Sequence, residues 1–168
     1  MVKISIFGFM KAEYVIQQLR DQISEKIDFS VNNVFFFGKK NSIESDVIAF
    51  SKSGYLTEYE IKTSRADFLA DKRKEKWKFY TLYKNFGPKY FYYVAPLDII
   101  KIHEIPSYAG LIEYIEHENR LEFRTKKKAS QLNKMKAKFK TQYTLLKKLY
   151  YKTINTNYND IKVKNVKT

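Results

Sequence analysis

The chain has 168 residues, of which 44% are hydrophobic and 17% aromatic, and its formal net charge is +14. That length allows one domain with a real core, and the apolar content excludes wholesale disorder. Cysteine is absent, which excludes a disulfide framework and a thiolate metal site. No apolar run approaches the ~20 residues that span a bilayer, and the first residues lack a secretory signal pattern. We therefore expect a cytoplasmic protein that does not enter a membrane.

The positive charge is concentrated near the C-terminus. Residues 126–168 hold 13 lysines against one acidic residue, Asp160, for a net charge of +12, whereas residues 1–125 hold 19 basic and 17 acidic residues. Such a block predicts a polyanionic partner, most commonly nucleic acid. An AT-rich genome is a simpler explanation, because lysine outnumbers arginine 27 to 5.

The first half of the sequence predicts a helix followed by three strands. Residues 11–27 carry apolar side chains at helical spacing: Val15, Ile16, Leu19, Ile23 and Ile27. Strands follow at about 31–37, 44–51 and 55–63. The linker Lys52-Ser53-Gly54 predicts a three-residue hairpin loop, since its glycine suits the left-handed last position.

The second half predicts a helix, three strands and a final helix. Ser64 begins an S-R-A-D capping box, and that helix is predicted to reach about Asn85. A strand at 89–95 and a hairpin at 110–124 follow. The last helix is predicted from about Ser130, with an apolar stripe of Leu132, Met135, Phe139, Tyr143, Leu146 and Tyr150, before a frayed tail at 153–168. This order predicts an α/β fold, a mixed sheet flanked by helices.

The most informative stretch is EYEIKTSRADF, residues 58–68. Glu58, Glu60 and Lys62 alternate along the predicted strand and share one face. The hairpin loop places Asp46 opposite Glu60, with Cβ atoms ~4.5–5.5 Å apart, and Glu44 opposite Lys62. Two carboxylates at that distance can share a divalent cation, with Lys62 near an attacking water or a phosphate oxygen. The alternative is a solvent-facing strand surface with ordinary pairs such as Glu44–Lys62. Glu58 receives no role.

Several linked segments carry a family resemblance: SDVIAF (45–50), EIKTSRADFLAD (60–71), KW (76–77), FYYVAP (91–96) and IPSYAGLI (105–112). Their order resembles the PD-(D/E)XK nuclease superfamily, and more narrowly the MmcB-like DNA-repair endonucleases, over roughly residues 44–115. The resemblance implies a restriction-endonuclease-like core at 1–125, followed by a basic C-terminal helix and tail at 126–168. The KRKEK segment after Asp71 is longer than the family pattern, and the basic C-terminal segment lies outside it.

The resemblance also implies chemistry: a Mg²⁺- or Mn²⁺-dependent endonuclease acting on DNA in repair, recombination or mobile-element processing. Asp46 and Glu60 match the metal-binding carboxylates, the Ile61 carbonyl often completes the metal shell, and Lys62 matches the lysine that orients or activates the nucleophile. Glu13 is a candidate for a further acidic ligand, and Glu25 competes with it.

Substrate contacts are predicted from the basic residues. Five are assigned to phosphate tracking along nucleic acid: Lys72, Arg73, Lys76, Lys134 and Lys138. DNA is the expected partner, RNA stays open, and a homodimer is possible. Two other classes also stay open: a non-catalytic nucleic-acid-binding module that retains the fold, and a protein-interaction domain whose stripe Leu132/Met135/Phe139/Tyr143 docks a partner. Asp67 and Asp71 are interpreted as structural residues.

Overall fold

A computed structural model describes residues 12–37, 43–71 and 87–165. Within these ranges there are three α-helices, α1 (Ala12–Ile23), α2 (Arg65–Asp71) and α3 (Phe139–Asn165), and six strands. The strands are β1 (Ile27–Phe37), β2 (Ile43–Ser51), β3 (Leu56–Ile61), β4 (Tyr90–Pro96), β5 (Gly110–His117) and β6 (Arg120–Lys127). None of the helices in this part of the chain is long and apolar enough to cross a membrane.

The six strands form one mixed sheet in the order β1-β2-β3-β4-β5-β6. The β1–β2, β2–β3 and β5–β6 pairs are antiparallel, while β3–β4 and β4–β5 are parallel. Parallel neighbours require a crossover connection, and α2 begins the one that joins β3 to β4. The predicted α/β class, a mixed sheet flanked by helices, is confirmed.

Helices cover both faces of the sheet. On one face, α1 buries Val15, Ile16 and Leu19 against residues of β2 to β6 such as Val47 and Val94. On the other face, Phe68 of α2 packs with Phe91 and Tyr93 of β4, and Leu145 of α3 packs on β1, β2 and β3. The alternation of strand side chains determines which residues meet α1 and which meet α2 and α3.

The predicted first helix and hairpins are confirmed. α1 starts one residue later than predicted and ends at Ile23, where a 3₁₀ turn leads into β1. In the β2–β3 loop, the Ser51 N–H donates to the Tyr55 carbonyl at 2.8 Å, and Gly54 has φ +89°. That φ lies in the left-handed region, which is why glycine suits this position.

The predicted start of the last helix is wrong. Residues 128–138, all of them described, form no helix, and α3 begins at Phe139. The Leu132 N–H donates to the Lys89 carbonyl and the Ala137 N–H to the Gly54 carbonyl, while the Asn133 amide donates to Gly87 and Pro88 carbonyls. These non-local bonds satisfy backbone groups that a helix would have paired within itself.

The C-terminal segment is integrated with the sheet. β6 continues to Lys127, two residues past the predicted boundary at 125/126, and α3 contributes the fully buried Leu145. Helix α3 runs to Asn165, so the frayed tail predicted at 153–168 is helical through that residue. The predicted extension of the second helix to Asn85 falls on residues 72–86, which lie outside the described ranges.

Arg65 at the start of α2 is joined to the β4–β5 connection. Its guanidinium donates to both carboxylate oxygens of Glu104 and to the Ile99 carbonyl. The hydrogen bond from Arg65 and a second from the Lys101 N–H lower the pKa of Glu104 from 4.5 to about 2. A carboxyl whose pKa is depressed by folding stabilises the protein above its unfolded pKa, and this contribution is lost as the pH falls.

We therefore expect the stability difference between wild type and Arg65→Gln to be full above pH 4.5 and to vanish as the pH falls towards 2. Urea unfolding of both proteins across this range measures it, with NMR titration of Glu104 as the direct readout. Both side chains are accessible to solvent, so the difference is expected to be small and to shrink with salt. A difference that is constant with pH would contradict this role.

Candidate active site at the end of the β2–β3 hairpin

The β2–β3 register is the predicted one, but the ladder stops before the acidic residues. Val47 pairs with Tyr59 and Ile48 with Glu58, as predicted, and Val47–Tyr59 is the last pair. Beyond it, the Ile61 N–H donates to Asp46 Oδ2 at 2.7 Å. Asp46 therefore meets the backbone between Glu60 and Lys62 with its side chain, rather than as a strand pair of Glu60.

The three alternating charges of β3 do not face solvent. Glu58 is 0% exposed, Glu60 3% and Lys62 2%, so the interpretation of this strand as a solvent-facing surface is wrong. They lie on the sheet face that α2 and α3 cover. Burying charged side chains is costly unless they are paired and hydrogen-bonded, so their partners decide what the cluster is.

Lys62 is held between carboxylates from two elements. Its Nζ lies 2.9 Å from Glu60 Oε1, 3.2 Å from Asp71 Oδ1 and 3.9 Å from Asp67 Oδ1. Asp71 is itself fully buried, and it lies on α2 one helical turn after Asp67, so both reach the same ammonium. The predicted alternative partner, Glu44, is exposed on β2.

This environment keeps Lys62 charged. Burial by itself lowers the pKa of the Lys62 ammonium, but the charges of Glu60 and Asp71 outweigh it, and the pKa is raised above its ordinary 10.5. At neutral pH, Lys62 is therefore a fixed cation and not a proton acceptor. Its side chain can stabilise negative charge or hold a carboxylate in place.

Tyr93 of β4 completes the cluster from the side of the parallel strands. Its hydroxyl donates to Asp71 Oδ2 at 3.1 Å. Burial, together with the nearby Asp71 charge, raises the pKa of Tyr93, so the phenol keeps its proton. The fixed tyrosine donor and the fixed lysine cation together hold the Asp71 side chain.

Glu58 belongs to the same buried row but has a separate partner. The Ser45 hydroxyl donates to Glu58 Oε1 at 2.7 Å, and Ser45 is 0% exposed. Glu58 thus joins β3 to the residue that precedes Asp46. This contact gives Glu58 a role that its position opposite Ile48 did not suggest.

The donor atoms near Asp46 and Glu60 suit only certain metals. Across residues 12–37, 43–71 and 87–165, no group of three or more Asp, Glu, His or Cys side chains is placed to hold a metal ion. An all-protein cage of the kind that binds zinc or calcium is therefore missing from this part of the chain. Mg²⁺ commonly uses one or two carboxylates and completes its shell with water and substrate phosphate, and Asp46 with Glu60 fits that pattern.

The remaining predicted site residues are dispersed. Glu13 and Glu25 are exposed, and Glu13 lies on α1, which packs on the sheet face opposite to that of Glu60. Lys134 and Lys138 are exposed in the extended segment that precedes α3. The other three predicted phosphate contacts, Lys72, Arg73 and Lys76, lie outside the described residues.

Asp71 and Tyr93 are the residues that the sequence interpretation missed as members of the site. The available signal was spacing: Asp67 and Asp71 lie four residues apart on a helix that begins just after Lys62, so both carboxylates project to the same side. Tyr93 could not be identified in this way, because its place opposite Glu60 depends on the β3–β4 register.

Comparisons with known proteins support the fold and leave the chemistry open. No protein-family model matches the sequence, and no curated protein matches it. Among solved structures, the chain is similar to the SPO1766 protein of unknown function from Silicibacter pomeroyi, at 21% identity and a TM-score of 0.54. The likeness covers 86% of this chain and 84% of that one. At this identity it bears on the fold alone: an α/β domain with a mixed sheet flanked by helices.

Proposed function

We propose that this protein is a metal-dependent endonuclease that hydrolyses DNA phosphodiester bonds, with a restriction-endonuclease-like core of the PD-(D/E)XK type. The observation that carries the proposal is the buried Glu60–Lys62 pair, next to Asp46 and enclosed by Asp71. In open α/β sheets, ligands bind at the carboxyl ends of parallel strands, and Glu60 and Lys62 lie at that end of β3. Repair, recombination and mobile-element processing are the biological settings we propose.

Asp46, Glu60 and the Ile61 carbonyl are the groups that would hold Mg²⁺ or Mn²⁺. When bound, the ion supplies a Lewis acid that polarises the phosphate and lowers the pKa of a water. Acidic side chains outnumber basic ones here: Lys62 is the one ammonium facing Glu60, Asp67 and Asp71. A divalent cation would offset that excess of negative charge.

Lys62 contributes through its fixed charge. The ammonium holds one Glu60 oxygen and so orients the carboxylate towards the end of the hairpin. Direct contact with a phosphate requires the ammonium to exchange one of its carboxylate partners as the substrate enters. Because the pKa of Lys62 is raised, the proton of the attacking water passes to another acceptor.

The direct test is cleavage of supercoiled plasmid and of linear duplex and single-stranded DNA by the full-length protein. Cutting should require added Mg²⁺ or Mn²⁺ and stop with EDTA. Purified protein that leaves all of these DNAs intact with either metal, over a range of pH and concentration, would overturn the nuclease proposal.

Metal binding can be tested apart from cleavage. In isothermal titration with Mn²⁺, Asp46→Asn should weaken binding by at least ~10-fold, since charge at the ligands governs affinity. Asparagine can still accept the Ile61 N–H bond, so the hairpin is expected to stay intact. Asp98→Asn is the matched control, because Asp98 is exposed on the β4–β5 connection at φ +62°, where asparagine is tolerated. Equal Mn²⁺ affinity in wild type and Asp46→Asn would remove Asp46 from the site.

A second candidate is a non-catalytic nucleic-acid-binding module with the same fold. It is favoured by the absence of a three-carboxylate group in the described ranges and by the occupation of Glu60 by Lys62. This candidate predicts salt-sensitive DNA binding with no dependence on Mn²⁺. Metal-stimulated cutting that Asp46→Asn abolishes would exclude it.

A further inference from the structure

Helix α3 presents apolar side chains on two opposite faces. Leu145 and Leu149 pack against β1, β2 and β3. On the outer face, five side chains recur at spacings of three and four and are 43–81% exposed. We call them the outer stripe: Phe139, Tyr143, Leu146, Tyr150 and Ile154. A helix that is apolar on its outer face as well as its inner one usually has a partner on both.

The outer stripe is surrounded by positive charge with almost nothing to neutralise it. Lys140 and Lys147 are exposed and lie one position further round the helix from Phe139 and Leu146. Lys148 and Lys152 reach the other way and donate to the Phe35 and Asn33 carbonyls of β1. From residue 126 onward, the 13 lysines face one acidic residue, Asp160. Two copies joined stripe to stripe would bring these lysines together, so the charge argues against a second copy and for a polyanion.

The rings of the outer stripe distinguish between polyanions. Phe139 and Tyr143 are nearly parallel, at 23°, with centroids 6.5 Å apart. A base inserted between two rings needs about 6.8 Å, twice the ~3.4 Å base-stacking distance. Tyr150 continues the row two to three turns along, and Tyr151, also exposed, lies beside Lys147. Aromatic rings flanked by lysines are the arrangement that binds unpaired bases along a charged backbone.

We infer that the outer stripe of α3 binds an unpaired nucleic-acid strand, with bases stacked on Phe139, Tyr143 and Tyr150 and phosphates near Lys140 and Lys147. A duplex offers its phosphates but not its base faces, so single strands are the preferred class. This inference deepens the proposed function by naming the strand class, and it rests on that function only for cleavage, not for binding. Leu145 packs on the same sheet face that carries Glu60, and its neighbour Leu56 lies four residues before Glu60, ~13 Å along β3.

The test is fluorescence anisotropy of the full-length protein with labelled oligo(dT) of about 20 nucleotides and with a duplex of equal length, in EDTA. Wild type should bind the single strand at least ~10-fold more tightly than the duplex. The variant Phe139→Leu/Tyr143→Leu/Tyr150→Leu keeps the stripe apolar and the charge unchanged, yet should lose at least ~10-fold in single-strand affinity. Lys140→Gln/Lys147→Gln should instead reduce the dependence of affinity on salt by about two counterions.

Three results would overturn the inference. The leucine variant could bind oligo(dT) as tightly as wild type, duplex and single strand could bind equally, or polyglutamate could compete as well as oligo(dT) does. Light scattering adds a fourth: a dimer that forms through the stripe and excludes oligo(dT). Because Glu60→Gln should bind oligo(dT) like wild type, loss of cleavage and loss of strand binding are separate outcomes.

Discussion

Replacing Lys62 with methionine is expected to lower the free energy of unfolding by about 3–5 kcal/mol. The Lys62 side chain is 2% exposed and lies within 3.2 Å of carboxylate oxygens of both Glu60 and Asp71. Methionine fills a similar volume but leaves two buried carboxylates without their cation, and an uncompensated buried charge is more costly than the missing pair itself. Urea unfolding at neutral pH measures the difference.

Two controls separate charge from packing. Lys128→Met changes an exposed lysine in the extended segment and should shift stability by no more than ~0.5 kcal/mol. Adding Glu60→Gln and Asp71→Asn to Lys62→Met neutralises the carboxylates and should recover much of the loss, because replacing a whole buried ion cluster is often nearly neutral. A loss below ~1 kcal/mol for Lys62→Met alone would mean that water reaches the carboxylates readily.

The hairpin was predictable because local geometry determines it. A three-residue loop ending in glycine admits few registers, and the period of two along a strand then specifies which side chains share a face. The register from Val47–Tyr59 to Phe50–Leu56 follows from those rules. The departure at Asp46 does not, since it depends on a side chain replacing a backbone acceptor.

Burial of the charged row was not predictable from the strand itself. Alternating charged residues usually mark a solvated face, and the sequence does not reveal that α2 returns over β3. The identity of the Lys62 partners depends on that tertiary contact: Asp71 reaches Lys62 only because Phe68 anchors α2 beside Tyr93. The extended segment at 128–138 has the same origin, since its helical spacing is overridden by bonds to Lys89 and Gly54.

Glu60→Gln is expected to reduce metal-dependent DNA cleavage by at least ~100-fold, as for loss of a single group that stabilises a transition state. Glutamine keeps the shape and an oxygen that can accept the Lys62 ammonium, so the fold should be retained in far-UV circular dichroism and unfolding. What it removes is the negative charge that a cation requires. Single-turnover nicking of supercoiled plasmid with Mg²⁺, at saturating protein, measures the rate.

The control for this variant is Glu116→Gln, an exposed position on β5, which should cut at the wild-type rate. Lys62→Met would also reduce cleavage, but a destabilised fold could produce that result, whereas Glu60→Gln separates charge from stability. If Glu60→Gln retains wild-type cleavage, the buried Glu60–Lys62 pair is a structural ion pair and the metal lies elsewhere. If neither protein cuts but both bind DNA, the fold is serving as a nucleic-acid-binding module, because binding needs only the lysines and rings that lie outside this cluster.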